Sequence, residues 1–174
     1  MEFRMPSTDQ MNPNATHYGI LAAMIAKTVG PIVEFGSGHY STPMLHYMSC
    51  AMNRVALSIE VSPDWCKYFE DQFGHGSHKF FCTENKLVSR AFPESQYHNT
   101  KWDVALIDHG PELDRPRCVE MMRNKAKFIV VHDSEPLAVA YNWGNIFSTF
   151  KYRFYWDFYG NGTMVVSDVE DIGL

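Results

Sequence analysis

The chain has 174 residues, a formal net charge of −5 and 45% hydrophobic residues. This length fits one domain of ordinary size, which buries a core without help from disulfides or metals. The hydrophobic content excludes a disordered chain, and the negative charge disfavours a protein that binds phosphate backbones through a basic face. We therefore expect one globular domain over residues 1–174, with residues 1–13 as an N-terminal arm.

The cysteines and the N-terminus bear on the cellular compartment. The four cysteines form no C-x-x-C pair, and each lies in or beside an apolar run. This pattern predicts buried, reduced thiols at Cys50, Cys66, Cys82 and Cys118. The N-terminal residues lack the apolar core of a signal peptide, and no apolar run approaches the roughly 20 residues that span a bilayer. We therefore expect a cytoplasmic protein without a membrane partner.

Short apolar runs alternate along the chain with amphipathic stretches of helical period. A first helix is predicted over residues 15–28, with Gly30 ending it. The predicted strands cover residues 32–35, 55–59, 80–82, 104–107 and 128–131. The predicted helices between and after them begin near Thr42, Ser62, Asp114 and Ser134. Residues 84–101 are polar, and they are predicted to form either a substrate lid with the N-terminal arm or a surface loop.

The pattern changes near the end of the chain. Residues 150–158 alternate between aromatic and polar side chains, as in a strand with one face on the sheet core. A turn at Gly160-Asn161-Gly162 and a second strand over residues 163–167 follow. The chain is therefore predicted to end in a β-hairpin without a helix between its strands.

Alternating strands and helices predict a parallel sheet with helices on both faces. Five such strands followed by an antiparallel hairpin resemble the Rossmann-like, three-layer α/β fold of class I S-adenosylmethionine (SAM) dependent methyltransferases. The resemblance covers residues 32–168. A dinucleotide-binding Rossmann fold would instead end with another parallel strand.

The first strand carries the motif that points to a cofactor. The stretch Val33-Glu34-Phe35-Gly36-Ser37-Gly38 resembles the methyltransferase motif E/D-x-G-x-G, in which glycines let the backbone approach the ligand. Glu60 ends the second strand, where a carboxylate accepts hydrogens from both ribose hydroxyls. An NAD-binding loop would have a third glycine where Ser41 stands. The resemblance implies that SAM contacts Glu34, Phe35, Gly36, Ser37, Gly38, Ser41, Thr42, Glu60, Val61 and Asp108.

Two further sequence features are assigned to the adenine end of SAM. Trp65 follows Glu60 in the predicted helix, either near the adenine or in the core with Phe69 and Phe73. Residues 83–85 follow the third strand, where the family contacts adenine.

The ends of the fourth and fifth strands carry the candidates for chemistry. In the family, the fourth strand end faces the sulfonium and the substrate, and here it bears Asp108 and His109. A hydroxyl acceptor must lose a proton, so we predict a catalytic site of Asp108, His109 and His132 in which either histidine is the base. A structural role for each histidine stays open.

A metal is the second way to activate a hydroxyl group. Asp108, Asp133 and Ser134 stand where metal-dependent, catechol-type O-methyltransferases hold Mg²⁺, although those enzymes have asparagine in place of Ser134. Oxygen ligands from two neighbouring strand ends suit a hard cation of this kind.

The motifs of the DNA-methylating enzymes, Asn/Asp-Pro-Pro-Tyr/Phe and the Pro-Cys nucleophile, do not occur in the sequence. We therefore predict a SAM-dependent methyltransferase that acts on oxygen of a small molecule or sugar, with nucleic acid disfavoured as a partner. The alternatives are a SAM lyase or hydrolase, an NAD-binding enzyme, and a non-catalytic SAM-binding or interaction module. A homodimer stays open as the oligomeric state.

Overall fold

A computed structural model describes residues 12–84, 87–135, 141–157 and 161–174. In this part of the chain the strands are β1 (Ile32–Phe35), β2 (Ala56–Glu60), β3 (His78–Cys82), β4 (Trp102–Ile107), β5 (Ala126–Val131), β6 (Tyr152–Trp156) and β7 (Thr163–Ser167). The helices are α1 (Tyr18–Lys27), α2 (Ser41–Ala51), α3 (Pro63–Phe73), α4 (Val88–Glu94), α5 (Arg115–Met122) and α6 (Trp143–Phe147). None of these helices is long and apolar enough to cross a membrane.

The strands form one sheet in the order β3-β2-β1-β4-β5-β7-β6. Strands β1 to β5 pair in parallel, and β7 inserts antiparallel between β5 and β6. The predicted parallel sheet with a terminal antiparallel hairpin is therefore confirmed. The direction of winding reverses between β1 and β4, and ligands of open α/β sheets bind at the carboxyl ends of the strands beside such a reversal.

Helices cover both faces of the sheet, as predicted. Side chains of α1 and α2 pack on one face, where Leu21 and Leu45 are fully buried. Side chains of α4, α5 and α6 pack on the other face, where Phe92 and Val119 are fully buried. Alternate residues of each inner strand point to the two layers, so β1, β2 and β4 are buried along their whole length and β5 is buried except at Lys127.

Helix α4 corrects the prediction for residues 84–101. Its side chains Val88 and Phe92 lie in the core beside β2, so the described part of this segment is neither a lid nor simply a surface loop. The helix has only seven residues and contains Pro93, which leaves too short a pattern for a helical period to be visible.

The predictions for the end of the chain are partly confirmed. Residues 134–135 are not helical, residues 136–140 and 158–160 lie outside the described residues, and the helix occupies only Trp143–Phe147. The aromatic side chains do not share one face of the core, because Phe150 packs beside α6 while Tyr152 and Phe154 pack on the α1 side. Strand β6 is at the edge of the sheet, and Trp156 is 37% exposed.

The prediction of reduced, buried thiols is wrong for two of the four cysteines, which form a disulfide. Cys66 of α3 and Cys82 of β3 form a disulfide, with their Cα atoms 5.9 Å apart, because α3 packs against β3. Cys118 is a buried free thiol, as predicted, whereas Cys50 is free but exposed. The apolar surroundings of each cysteine in sequence carry no information on this spatial pairing.

Candidate functional site

The loop between β1 and α2 requires glycine at one of its two glycine positions. Gly36 has φ of +93°, and a Cβ atom there would lie 2.6 Å from the Cα atom of His109. At Gly38 the nearest atom to a Cβ would be Oγ of Ser41, at an ordinary 3.5 Å. Gly36 therefore lets β1 and β4 approach closely at their carboxyl ends, while Gly38 is not sterically forced.

Glu60 fixes the glycine loop from the end of β2. Its buried carboxylate accepts hydrogen bonds from the backbone amides of Ser37 at 2.9 Å, Val61 at 2.8 Å and Ser62 at 2.9 Å. A carboxylate has about four acceptor positions, so one stays available to a ligand. The side chain is thus neither a solvated acid nor wholly free for a ribose.

Glu34 lies beneath the loop and is fully buried. Its carboxylate accepts hydrogen bonds from the hydroxyls of Thr42, at 2.7 Å, and Ser58. The Thr42 hydroxyl in turn accepts a hydrogen bond from the Gly38 amide at 2.9 Å. Burial raises the pKa of Glu34 to about 7, although the hydrogen bonds from Ser58 and Thr42 act in the opposite direction. Glu34 therefore supports the loop from below.

A cavity of about 300 Å³ opens where the glycine loop meets the end of β4. It is lined by Asn14, His17, Gly38, His39, Tyr40, Ser41, Trp65 and Asp108. The Trp65 indole donates a hydrogen bond to the carbonyl of Ser37 at 2.5 Å and is 38% exposed, so Trp65 is a wall of the cavity and not core. Phe35, in contrast, is fully buried and packs in the core below.

The guanidinium of Arg115 lies between the carboxylates at the ends of β4 and β5. Its Nη2 atom is 3.2 Å from Oδ1 of Asp108, and its Nη1 atom is 2.8 Å from Oδ2 of Asp133. Its Nε atom donates to the carbonyl of His109 at 2.8 Å. The hydroxyl of Ser134 donates to the carbonyl of Gly162 at 3.0 Å, so it faces the hairpin.

This arrangement corrects the predicted Mg²⁺ site of Asp108, Asp133 and Ser134. A cationic side chain already neutralises both carboxylates, and the third predicted ligand points elsewhere. A Mg²⁺ ion shared by Asp108 and Asp133 would need the position between these two carboxylates, which the guanidinium of Arg115 occupies.

His132 uses both ring nitrogens as donors. The Thr16 hydroxyl donates its single hydrogen to the carbonyl of Asn161 at 2.6 Å, so it accepts one from Nε2 of His132 at 3.0 Å. Nδ1 lies 3.1 Å from the Asp108 carboxylate, which also only accepts. Burial lowers the pKa of His132, but the hydrogen bond and charge of Asp108 outweigh it, and the net pKa is raised. Both ring nitrogens of His132 are therefore engaged by protein groups, and its predicted role as a general base stays a prediction.

His109, the other histidine predicted as a base, lies in the core. Its ring is 2% exposed and faces α5, with Nε2 3.4 Å from Oδ2 of Asp114 and 3.6 Å from Sγ of Cys118. Asp114, predicted as a helix cap, makes no side-chain cap bond and instead accepts hydrogen bonds from the amide and hydroxyl of Ser89. His109 and Asp114 therefore connect α4, β4 and α5 inside the core, away from the cavity.

Two residues of this site were not predicted from the sequence. Arg115 follows Asp114 at the start of α5, and a charged residue in the first turn after a strand end was the available signal. His17 gave no signal, because it comes from the segment before α1 and meets Asp108 only in the folded chain. Its Nδ1 atom lies 3.9 Å from Oδ2 of Asp108, and its ring centroid is 4.6 Å from that of His132.

A scan with protein-family models gives no match, and neither does a search of curated proteins. Solved structures do match, at low sequence identity. A putative O-methyltransferase from Klebsiella pneumoniae is 13% identical with a TM-score of 0.69, over 95% of this chain and 84% of that one. The human METTL16 catalytic domain in complex with the MAT2A 3′UTR hairpin 1 is 10% identical with a TM-score of 0.61, over 97% and 75%.

Human methyltransferase-like protein 13, solved in complex with SAH, is 10% identical with a TM-score of 0.59, over 96% of this chain and 83% of that one. These three similarities share the sheet and its flanking helices across most of both chains. With the strand order and the antiparallel β7, they show that this chain has the fold of the class I SAM-dependent methyltransferases.

Proposed function

We propose that this protein is a SAM-dependent methyltransferase that acts on an oxygen atom of a small molecule or sugar. The observation that carries the proposal is the cavity at the carboxyl ends of β1 and β4, which is lined by Gly38 of the glycine loop and by Asp108. Glu60 at the end of β2 keeps one acceptor position for a ribose hydroxyl. A cavity with these walls, in this fold, supports SAM as the cofactor.

The walls of the cavity suggest how SAM would be oriented. Ser41 and Thr42 begin α2, an 11-residue helix whose N-terminus favours the methionine carboxylate. Val61 and Trp65 lie beyond Glu60, on the side where the adenine would lie. Asp108 lies at the other end of the cavity, so the sulfonium would be directed towards β4.

Methyl transfer needs alignment more than it needs protein side chains that react. Bound SAM would supply the methyl group to an attacking acceptor oxygen, with S-adenosylhomocysteine (SAH) as the leaving group that keeps the bonding electrons. The proton of the acceptor hydroxyl would pass to solvent water. A dry cavity that aligns both molecules lowers the barrier by removing much of the entropic cost. The cavity has a volume of only about 300 Å³ and is lined by both polar and apolar side chains. This size supports a small molecule as the acceptor.

Oxygen as the acceptor atom is supported by the Klebsiella pneumoniae neighbour, which is a putative O-methyltransferase. The net charge of −5 disfavours RNA, although one neighbour was solved with an RNA hairpin. Methyl transfer to RNA is therefore the outcome that the acceptor experiment must be able to detect.

The first experiment measures cofactor binding by calorimetry with SAM, SAH and NAD. We expect SAM and SAH to bind, and the Gly36→Ala variant to lose this binding because its Cβ atom would collide with the backbone of His109. Gly144→Ala is the matched control, since no atom lies within 4 Å of its added Cβ. Binding of NAD but not of SAM would refute the proposal.

The second experiment follows the fate of SAM. Incubation of the protein with SAM alone tests for a lyase or hydrolase, and consumption without an acceptor would exclude simple methyl transfer. Transfer of a labelled methyl group to catechols, sugar hydroxyls or RNA then identifies the acceptor class. Label that enters only RNA would contradict the small-molecule assignment.

A further inference from the structure

Three metal-binding side chains converge at the wall of the cavity. They are His17 before α1, Asp108 after β4 and His132 after β5, and their ligand atoms all lie within 4.8 Å of one another. Each of the three comes from a different segment of the chain, so only the fold brings them together. His17 and Asp108 also line the cavity.

The distances within this cluster are compatible with a shared metal ion. Two ligands of a tetrahedral zinc site lie roughly 3.3 Å apart, given bond lengths near 2.0–2.1 Å. The separations here are 3.1 Å from His132 Nδ1 to Asp108 Oδ1 and 3.9 Å from His17 Nδ1 to Asp108 Oδ2. The second is too long for a hydrogen bond but leaves space for an ion.

His17 has no other partner that explains its position. Its ring is 2% exposed, and neither ring nitrogen has a hydrogen-bond partner among the described residues. Buried polar groups are nearly always paired, because an unpaired one costs free energy.

The neighbours of His132 and Asp108 are those that support metal ligands. With an ion on Nδ1, Nε2 of His132 still donates to the Thr16 hydroxyl, which is held by its own bond to the Asn161 carbonyl. Arg115 in turn orients Asp108. Groups that fix the far side of a ligand in this way are typical of metal sites in proteins.

We propose that His17, Asp108 and His132 bind a divalent transition metal, with zinc as the first candidate and an open coordination position facing the cavity. Two imidazoles and one carboxylate suit such a metal, whereas Mg²⁺ prefers oxygen ligands alone. This site therefore differs in ligands and in metal from the Mg²⁺ site that the sequence suggested. Binding displaces one proton, from Nδ1 of His132.

The proposal rests on the proposed function for its role in catalysis. An acceptor hydroxyl bound at the open position lies beside the sulfonium end of the cavity and loses its proton to solvent more readily. The acceptor class would then be a small molecule whose hydroxyl oxygen can reach a metal.

The test titrates Zn²⁺ into the metal-stripped full chain by calorimetry in two buffers of different ionisation enthalpy. Titration with Co²⁺ reports the geometry through visible absorption. We expect one ion per chain, release of one proton and a tetrahedral or five-coordinate Co²⁺ spectrum. For His17→Gln we expect binding to weaken at least about 100-fold, and for Thr16→Val, which removes only the support of His132, about 10–100-fold. His75→Gln, at an exposed histidine, is the matched control and should bind as the wild type does.

Absence of a one-to-one complex in the wild type overturns the proposal, as does equal affinity in His17→Gln. Loss of binding in His75→Gln would also overturn it, because it places the ion on surface histidines. Thr16→Val and the wild-type titrations keep the test valid if His17→Gln does not fold. SAM binding without metal binding refutes the metal site alone, whereas metal binding without SAM binding refutes the proposed function.

Discussion

The carboxyl edge of the sheet has two halves that are built differently. At the ends of β1 and β2, Glu60 holds backbone amides and Gly36 allows a close approach of strands. At the ends of β4 and β5, Asp108 and Asp133 are held by the charged side chain of Arg115. The first half is organised by the backbone of adjacent segments, and the second by side chains from remote ones.

The two halves also differ in charge balance. Glu34 and Glu60 form no ion pair within the described part of the chain, and Glu60 keeps one acceptor position for a hydroxyl-bearing ligand. Asp108 and Asp133 are balanced by the guanidinium of Arg115, and Asp108 also contacts the ring of His132. The first half thus has an acceptor available for a ligand. The second half can bind an added cation only if His132 gives up the proton on Nδ1.

Among the variants that distinguish the two halves, we expect Arg115→Met to have the largest effect on stability. Removal of the buried guanidinium leaves two carboxylates and two backbone carbonyls without their partner. We expect the free energy of unfolding to fall by about 3–5 kcal/mol in urea titrations. Arg117→Met, on the exposed side of the same helix, is the control. Equal stability of the two variants would show that the second half is not held by charge.

The pH dependence of the free energy of unfolding tests the role of Glu34 in the first half. Its pKa is raised from 4.5 to about 7 in the folded chain, so the folded state binds more protons than the unfolded state between these values. The contribution of Glu34 to stability is therefore fully present below pH 4.5 and is lost as pH rises through 7, by about 3 kcal/mol. Glu34→Gln should remove this component from the urea-unfolding profile, while the exposed Glu94→Gln should keep it. A Glu34→Gln profile that matches the wild type would contradict the buried, unpaired acid.

Substitutions at Gly36 and Gly38 test whether the glycine loop needs glycine at only one of these two positions. Gly36→Ala should lose about 1–3 kcal/mol of stability, because an L side chain is strained at φ of +93° and meets backbone atoms. Gly38→Ala should change stability by no more than about 0.5 kcal/mol. The check is thermal and urea unfolding of both variants. Equal losses would mean that the loop needs both glycines for its conformation.

The smallest effect is expected from Mg²⁺. Since Arg115 already occupies the space between Asp108 and Asp133, millimolar Mg²⁺ should leave the melting temperature and the SAM affinity unchanged. Calcium, added at the same ionic strength, controls for general salt effects. Saturable stabilisation by Mg²⁺ alone would restore the oxygen-ligand site and remove the distinction between the halves.

The sheet and the glycine loop could be predicted because their signals are local. Strand β1 and Gly36 are adjacent in sequence, and Glu60 follows directly from the end of the next strand. Strands β3, β4 and β5 each begin two residues earlier than predicted. Polar residues interrupt the apolar pattern at these beginnings, but the parallel pairing with the neighbouring strand continues. Helix α4 was missed because seven residues are too few for its period.

The orientations of the predicted catalytic and metal-binding side chains could not be predicted, for a different reason. His109 and His132 are both at strand ends, but position at a strand end does not say which way a ring turns. His109 turns inward to Asp114, and His132 donates to Asp108 and Thr16. The partners that decide these orientations come from helix starts and from the N-terminal segment.

The sequence by itself determined the layered α/β fold, the order of its elements and the loop at Gly36, because hydrophobic period and glycine conformation act over neighbouring residues. The tertiary structure alone decided the chemistry at the other half of the edge. It brought His17 and Arg115 to Asp108 and paired Cys66 with Cys82. Distances between remote side chains depend on how helices pack on the sheet, and hydrophobic patterns specify that a helix packs but not which polar atoms then meet.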